Sequence, residues 1–156
     1  MIPPSNHPLV VAANNYAHEL ALVASKEQLS YSQLLSKVRF IYDGLIGRGV
    51  KPGDIVVLDD LYDDKLIYML WACSLGQLIA FPLNVRFPRS TLASTLAPIK
   101  PALIFSDRDL GYGKLERYDE IVPQMGISAA INFRADAPAT LLMTSGSSGS
   151  SKIVSH

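Results

Sequence analysis

The stretch LLMTSGSSGSSKIV, residues 141–154, joins two apolar runs through a loop made almost wholly of glycine and hydroxyl residues. Gly146 and Gly149 let the backbone turn tightly, and successive backbone amides in such a turn form a nest that binds anions. The serine hydroxyls donate further hydrogen bonds, and Lys152 adds a mobile positive charge. This set of groups suits a polyphosphate ligand held directly after a strand.

Other interpretations of this loop explain its residues less well. A P-loop needs a hydroxyl residue directly after its lysine, but Ile153 follows Lys152. A dinucleotide-binding glycine motif also fails, because Glu116 stands where a third glycine should follow Gly111 and Gly113. The Gly-Ser run resembles a flexible linker as well, but a linker has no reason to lie between two strands. We therefore interpret the run as a phosphate-binding loop.

The rest of the chain alternates amphipathic helices with short apolar strands. Such alternation is typical of a parallel sheet that is covered on both faces, and ligands of such sheets bind beyond the carboxyl ends of the strands. We predict an α/β fold of three layers, with a largely parallel sheet and helices on both faces. The expected helices are 8–22, 31–48, 64–75 and 89–96, and the expected strands are 21–24, 55–58, 78–81, 102–105, 127–132, 140–143 and one that starts at 152.

The clearest helix is 31–48. Ser30 and Gln33 form a capping-box pattern at its start, with a hydroxyl at the N-cap and an amide three residues later. Apolar residues then recur at the spacing of one helix face, and Gly49 follows as a stop. The side chains expected to be buried are Leu34, Leu35, Val38, Ile41 and Leu45.

Composition excludes several classes of protein. The 156 residues are 49% hydrophobic, which argues against intrinsic disorder, and the 14 basic and 14 acidic residues cancel, which argues against nucleic-acid binding. Cys73 is the single cysteine, so no internal disulfide forms. No apolar run approaches the length of a membrane span, and no basic residue precedes Lys26 as a signal peptide would require. We expect a cytoplasmic protein without a membrane or nucleic-acid partner.

The loop resembles the phosphate loop of the adenylate-forming superfamily, which includes acyl-CoA synthetases and adenylation domains. The family signature reads Thr-Ser-Gly, Ser or Thr, Thr, Gly, any residue, Pro, Lys. This chain departs from the signature at Ser148, where Thr is usual, and at Ser151, where Pro is usual. The absence of that proline should loosen the loop. The matching residues are Thr144, Ser145, Gly146, Ser147, Gly149 and Lys152.

The resemblance extends upstream through residues 29–34, 48–54 and 70–88. Within the superfamily, Asn84, Phe87-Pro88 and the spacing from Lys152 to His156 most resemble the o-succinylbenzoate–CoA ligases of menaquinone biosynthesis. The resemblance implies an AMP-forming acid–thiol ligase. Such an enzyme uses ATP to convert a carboxylic acid into an acyl-adenylate and then transfers the acyl group to coenzyme A. Magnesium is expected with ATP.

The resemblance also implies which residues bind the nucleotide. It assigns no catalytic residue and no metal ligand within the chain, and His156 is a weaker candidate for contact with substrate or nucleotide. The expected nucleotide-binding residues are Thr144, Ser145, Gly146, Ser147, Ser148, Gly149 and Lys152.

The family's metal-binding glutamate, its ribose-binding acid and its C-terminal domain with the catalytic lysine have no counterpart here. We therefore expect residues 1–156 to be a single partial domain, the N-terminal subdomain of the large ATP-binding domain, which ends in the loop 144–152. Such a fragment should be inactive alone, bind no cofactor, and expose surface through which it can self-associate.

Alternatives remain at this stage. The chain can belong to another carboxylate-activating enzyme, fatty-acyl-CoA or amino-acid adenylating, or it can be a non-catalytic binding module with a Gly/Ser tail. Four aspartates are interpreted as a strand end and a helix N-terminus rather than a metal site: Asp59, Asp60, Asp63 and Asp64. His7 and His18 are expected in surface or packing roles, and Cys73 as a buried structural thiol.

Overall fold

The computed structural model describes residues 6–24, 26–59, 63–83, 89–123, 128–144 and 152–156. The helices are α1 (Pro8–Asn15), α2 (Tyr31–Ile46), α3 (Asp63–Leu75) and α4 (Arg89–Ile99), with a 3-10 turn at Tyr118–Glu120. The strands are β1 (Leu20–Val23), β2 (Gln28–Ser30), β3 (Ile55–Leu58), β4 (Ile79–Pro82), β5 (Leu103–Phe105), β6 (Leu141–Thr144) and β7 (Lys152–Ser155).

The central sheet is parallel. β3 lies between β4 and β5, with Val56 opposite both Ala80 and Leu103. A single parallel bridge between Ala80 and Thr140 connects β4 to the antiparallel β6–β7 hairpin. A second hairpin, formed by β1 and β2, is antiparallel and leads straight into α2. The prediction of a largely parallel sheet is confirmed.

Alternate residues of the central strands enter two separate cores. Val56, Leu58 and Phe105 belong to the core that α1, α2 and α3 cover. Val57, Phe81 and Ile104 point to the other face, where they pack with residues of α4. Because successive side chains of a strand point to opposite faces, these two clusters define helix, sheet and helix layers. The predicted three-layer α/β architecture is therefore confirmed.

Helix α2 begins as its capping box predicts. The backbone amide of Gln33 donates to Ser30 Oγ over 3.4 Å, and the backbone amide of Ser30 donates back to Gln33 Oε1 over 2.9 Å. The helix ends at Ile46, two residues earlier than predicted, and the chain turns through Gly49 at φ +86°. Of the side chains expected in the core, Leu35 is only partly buried and the others are buried: Leu34, Val38, Ile41 and Leu45.

Two helix boundaries differ from the predicted ones. The predicted first helix over 8–22 is wrong beyond Asn15, because residues 20–23 pair with β2 and that pairing needs extended backbone. Helix α4 continues past its predicted end at residue 96 to Ile99, although it contains Pro98. The amide that proline lacks falls in the last turn, where it costs one hydrogen bond, and Lys100 still donates to the carbonyl of Leu96.

The predicted strand over 127–132 is wrong in its described part, residues 128–132, which has no strand pairing. Its polar backbone groups instead form hydrogen bonds with helices α2 and α3. The Tyr42 hydroxyl donates to the carbonyl of Ala130 over 2.6 Å, and the amide of Asn132 donates to the carbonyl of Leu75 over 2.9 Å. Because these backbone groups already have hydrogen-bond partners on α2 and α3, the segment packs across those helices and does not join the sheet.

Within the described ranges, no helix combines the length and the apolar character needed to cross a bilayer.

Candidate functional site

The β6–β7 hairpin holds together the two ends of the predicted phosphate loop. Its register is complete: Leu141 lies opposite Ser155, and Thr144 lies opposite Lys152. Opposed residues of an antiparallel pair have Cα atoms about 4.5–5.5 Å apart. The first and the last residue of the predicted loop are therefore neighbours, and residues 145–151 connect them.

The hairpin opens toward the edge of the sheet where the parallel strands end. β6 runs in the same direction as β4, because the bridge between Ala80 and Thr140 is parallel. Thr144, the last residue of β6, therefore lies at the carboxyl edge shared by β3, β4 and β5. This edge is where ligands of open parallel sheets bind.

Most of the loop lies outside the described residues. Ser145, Gly146, Ser147, Ser148 and Gly149 are not described, and of Thr144 and Lys152 only the backbone is described. Their roles as nucleotide ligands stay predictions. Asn84 and Phe87-Pro88, which carry part of the family resemblance, also lie outside the described ranges.

The return of the chain as β7 bears on the linker interpretation. Residues 152–155 run back along β6 in register, whereas a flexible Gly/Ser tail would have no such partner. No acidic residue occurs from 137 to 156, so no carboxylate within the hairpin repels a phosphate. Both observations fit a polyphosphate at the loop.

His156 lies at the opposite end of the hairpin from the loop. Its amide donates to the carbonyl of Thr140 over 2.9 Å, and its own carbonyl accepts from the amides of Ala139 and Thr140. Thr140 and Thr144 are four residues apart on an extended strand, which is about 13 Å. Hairpin geometry therefore gives no support to contact between the exposed His156 and phosphates at the loop.

A buried ion pair that sequence reasoning missed occupies the same carboxyl edge. Asp59 follows β3 and is fully buried, and Arg108 contacts it with two nitrogens, Nε to Oδ2 at 2.7 Å and Nη2 to Oδ1 at 2.6 Å. Ser106, just after β5, donates from Oγ to the same Oδ2 over 2.8 Å. Asp59 thus lies at a strand end, as expected, and its buried ion pair with Arg108 is what sequence reasoning did not predict. The only local signal was an acid directly after an apolar strand.

The other titratable residues singled out in the sequence, Cys73, His7 and His18, occupy packing or surface positions. Burial raises the pKa of the Cys73 thiol to about 12, which confirms a buried structural thiol and excludes a thiolate nucleophile at neutral pH. His7 is fully buried among packed side chains, and His18 is exposed. Over the part of the chain that the structure describes, no three His, Cys, Asp or Glu side chains cluster as a metal site would require.

A groove of about 430 Å³ runs between helix α3 and the start of β6. Because its β6 wall is at the amino end of that strand, the groove lies away from the predicted phosphate loop. Sequence reasoning did not predict it. Its lining residues are Ile67, Leu70, Trp71, Ser74, Ala139 and Thr140.

Comparison with known proteins gives a family for this arrangement. A model of the family described as "AMP-binding enzyme" matches residues 9–156. Vanchrobactin synthetase VabF of Vibrio anguillarum is 34% identical over 154 aligned residues, which cover 89% of this chain and 5% of that protein.

Solved structures share the fold. o-Succinylbenzoate CoA synthetase (MenE) from Bacillus subtilis, in complex with the acyl-adenylate intermediate OSB-AMP, superimposes with a TM-score of 0.80 at 22% identity over 94% of this chain and 40% of its own. The same enzyme in complex with ATP and magnesium ion superimposes with a TM-score of 0.80 at 21% identity, over 94% of this chain and 41% of its own. The Klebsiella oxytoca NpsA N-terminal subdomain, in complex with 3-hydroxyanthranilyl-AMSN, superimposes with a TM-score of 0.78 at 21% identity, over 94% of this chain and 39% of its own.

The matched synthetase and the matched MenE chain are both much longer than this chain. The chain spans about 5% of the synthetase and about 40% of the MenE chain. The family model covers nearly all of the sequence, and the shared fold covers nearly all of the structure. The chain therefore belongs to the AMP-binding, adenylate-forming enzymes and carries their N-terminal region.

Proposed function

We propose that this chain supplies the phosphate-binding part of an enzyme that activates a carboxylic acid with ATP and passes the acyl group to a thiol. One observation carries the proposal: a strand, a Gly/Ser loop and a returning strand bring Thr144 and Lys152 together at the carboxyl edge of a parallel sheet. The family membership supports ATP as the nucleotide.

The first step makes an acyl-adenylate. A carboxylate oxygen of the acid attacks the α-phosphorus of ATP, and the bond from that phosphorus to the bridging oxygen breaks, so that pyrophosphate leaves with the electron pair. Lys152 and the backbone amides of the loop hold the β- and γ-phosphates and stabilise the charge that develops on them. Magnesium, when bound, neutralises further phosphate charge, and no residue of the described ranges is assigned to hold it.

The second step transfers the acyl group. A thiolate sulfur attacks the acyl carbon of the adenylate, and AMP leaves with the bonding electron pair. The pyrophosphate has gone by this stage, so the loop contributes to the first step more than to the second. This asymmetry provides a test that reports on the loop alone.

For the acid and the thiol, we propose o-succinylbenzoate and coenzyme A. The resemblance of Asn84 and Phe87-Pro88, together with the fold shared with MenE, supports this choice. A second candidate is an adenylating unit of a multidomain synthetase that activates an amino acid, in which the thiol belongs to a carrier. The 34% identity to vanchrobactin synthetase favours this second candidate.

Acid-dependent exchange of labelled pyrophosphate into ATP tests the activity. The assay uses a polypeptide of full family length that contains this chain, with o-succinylbenzoate, aromatic acids, fatty acids and amino acids supplied in turn. Exchange with at least one acid is expected. Subsequent trapping on coenzyme A or on a carrier-protein thiol separates the two candidates. A protein that exchanges with none of these acids, although it is folded, contradicts the proposal.

A further inference from the structure

The inference concerns His7, which is fully buried at the start of helix α1. Its Nδ1 accepts a hydrogen bond from the backbone amide of Leu9 over 3.2 Å, and its Nε2 lies 3.0 Å from Ser74 Oγ on α3. Two aromatic rings meet the imidazole edge-on, Trp71 at 5.5 Å and Phe133 at 4.9 Å between ring centroids. His7 thus joins α1, α3 and the segment before β6.

These contacts determine which form of the imidazole fits. The Leu9 amide can only donate, so Nδ1 must be the unprotonated nitrogen, and Nε2 carries the proton and faces Ser74. A second proton would place an N–H on Nδ1 directly against the Leu9 N–H. It would remove the N-cap of α1 and leave a charge in a buried aromatic site.

On the described elements that pack against His7, the charged residues lie away from the imidazole. Helix α1 contains no charged residue, and α3 presents Trp71 and Ser74 to the imidazole, whereas its charged residues Asp63–Lys65 lie at its other end. Next to Phe133, Arg134 is exposed and paired with Asp136 at 2.9 Å. Burial is accordingly the cause that lowers the pKa of His7 to about 4.

Helix α1 depends on this cap because it is short. It has 8 residues, and an isolated helix of that length is unstable in water. Leu9 and Ala13 are its buried side chains, and His7 supplies its N-cap. Loss of the cap and the gain of a buried charge therefore act on an element with little stability of its own.

We propose that His7 is an acid-sensitive latch, which holds α1 against α3 while its imidazole is neutral and releases α1 on protonation, uncovering Trp71 beside the groove. The docked state binds the proton more weakly than the released state, whose histidine has its ordinary pKa of 6.5. Docking is therefore favoured fully above pH 6.5 and is lost as the pH falls from 6.5 to 4. Between pH 6.5 and pH 4 the ratio of released to docked protein rises by about 80-fold.

The single tryptophan of the chain makes the latch measurable. Trp71 emission is recorded from pH 7.5 to 4, and hydrogen exchange of the α1 amides is compared with that of β3 over the same range. The wild-type chain is expected to change its Trp71 emission below pH 6.5 and to lose α1 protection before β3 protection. His7→Asn, which keeps an N-cap acceptor that does not titrate, should abolish both changes, and the exposed-site control His18→Gln should retain them.

Three results would overturn the latch. The first is a His7→Asn chain with the same pH dependence of Trp71 emission as the wild type. The second is simultaneous loss of protection in α1 and β3, which indicates global unfolding. The third needs no variant: a His7 ring that titrates at its ordinary 6.5 in nuclear magnetic resonance spectra of the wild-type chain, without any change at Trp71.

Discussion

The buried pair of Asp59 and Arg108 poses an energetic question at the scale of single residues. Asp59 is fully buried and the Arg108 side chain is 21% exposed, so both ions lose much of their hydration. Removing charges from water costs several kcal/mol, and the bidentate contact and the Ser106 hydroxyl offset that cost only while both partners are present. The pair is therefore sensitive to the loss of either member.

We predict that Asp59→Asn lowers the free energy of unfolding by about 2–4 kcal/mol, because a neutral amide replaces the buried carboxylate that accepts hydrogen bonds from Arg108 and Ser106. Urea unfolding measures this change. The matched control is Asp136→Asn, which removes an exposed ion pair with Arg134 and should leave the midpoint unchanged. The double variant Asp59→Leu/Arg108→Leu should recover most of the loss, and a double variant as unstable as the single one would contradict this account.

Lys152 is tested through the two half-reactions of the proposed activity. In a full-length enzyme, Lys152→Ala should slow adenylate formation by about ten- to a hundredfold, the value of one charge-assisted hydrogen bond. Transfer from synthetic acyl-adenylate to the thiol should change much less, because pyrophosphate is absent from that step. Lys26→Ala, at an exposed turn far along the chain, is the control. Equal impairment of both half-reactions would show that Lys152 does not act on the leaving pyrophosphate.

At the scale of elements, the contact between α2 and α3 depends on a missing side chain. A Cβ atom added at Gly76 would overlap Cε2 of Tyr42, well inside van der Waals contact. Tyr42 cannot withdraw easily, because it is 1% exposed and its hydroxyl donates to the carbonyl of Ala130. The close approach of the two helices therefore requires glycine at this position.

We predict that Gly76→Ala destabilises the fold by about 1–3 kcal/mol through this overlap. Thermal and urea unfolding measure the loss. Truncating the ring with Tyr42→Leu should remove the clash, so the double variant should be less unstable than the sum of the two single changes. Strict additivity of the two losses would indicate that Gly76 and Tyr42 do not meet.

Elements whose signals are local were predictable, and contacts between distant residues were not. The capping box of α2 and the two apolar runs of the β6–β7 hairpin lie within short stretches, so sequence reasoning identified them. Asp59 and Arg108 are 49 residues apart, and nothing in either neighbourhood marks the partner. Segment 128–132 was mistaken for a strand because its partners, Tyr42 and Leu75, belong to helices.

At the scale of the whole molecule, the sheet topology gives the position of the predicted site but not the arrangement of its residues. The parallel order of β5, β3 and β4, extended through the Ala80–Thr140 bridge, brings the ends of four strands to one edge. The phosphate loop was predicted from its residue types, its flanking apolar runs and its family resemblance, and its main residues, 145–149, lie outside the described ranges.

We predict that the 156-residue chain alone does not exchange pyrophosphate into ATP with any carboxylic acid. It spans 40% of the MenE chain. Stabilising the transition state requires several preorganised charges around the α-phosphate, and one loop provides only those at the leaving group. The assay compares the chain with a full-length protein and with the Lys152→Ala chain as background. Acid-dependent exchange by the chain alone, lost in Lys152→Ala, would show that the catalytic apparatus is already complete in these residues.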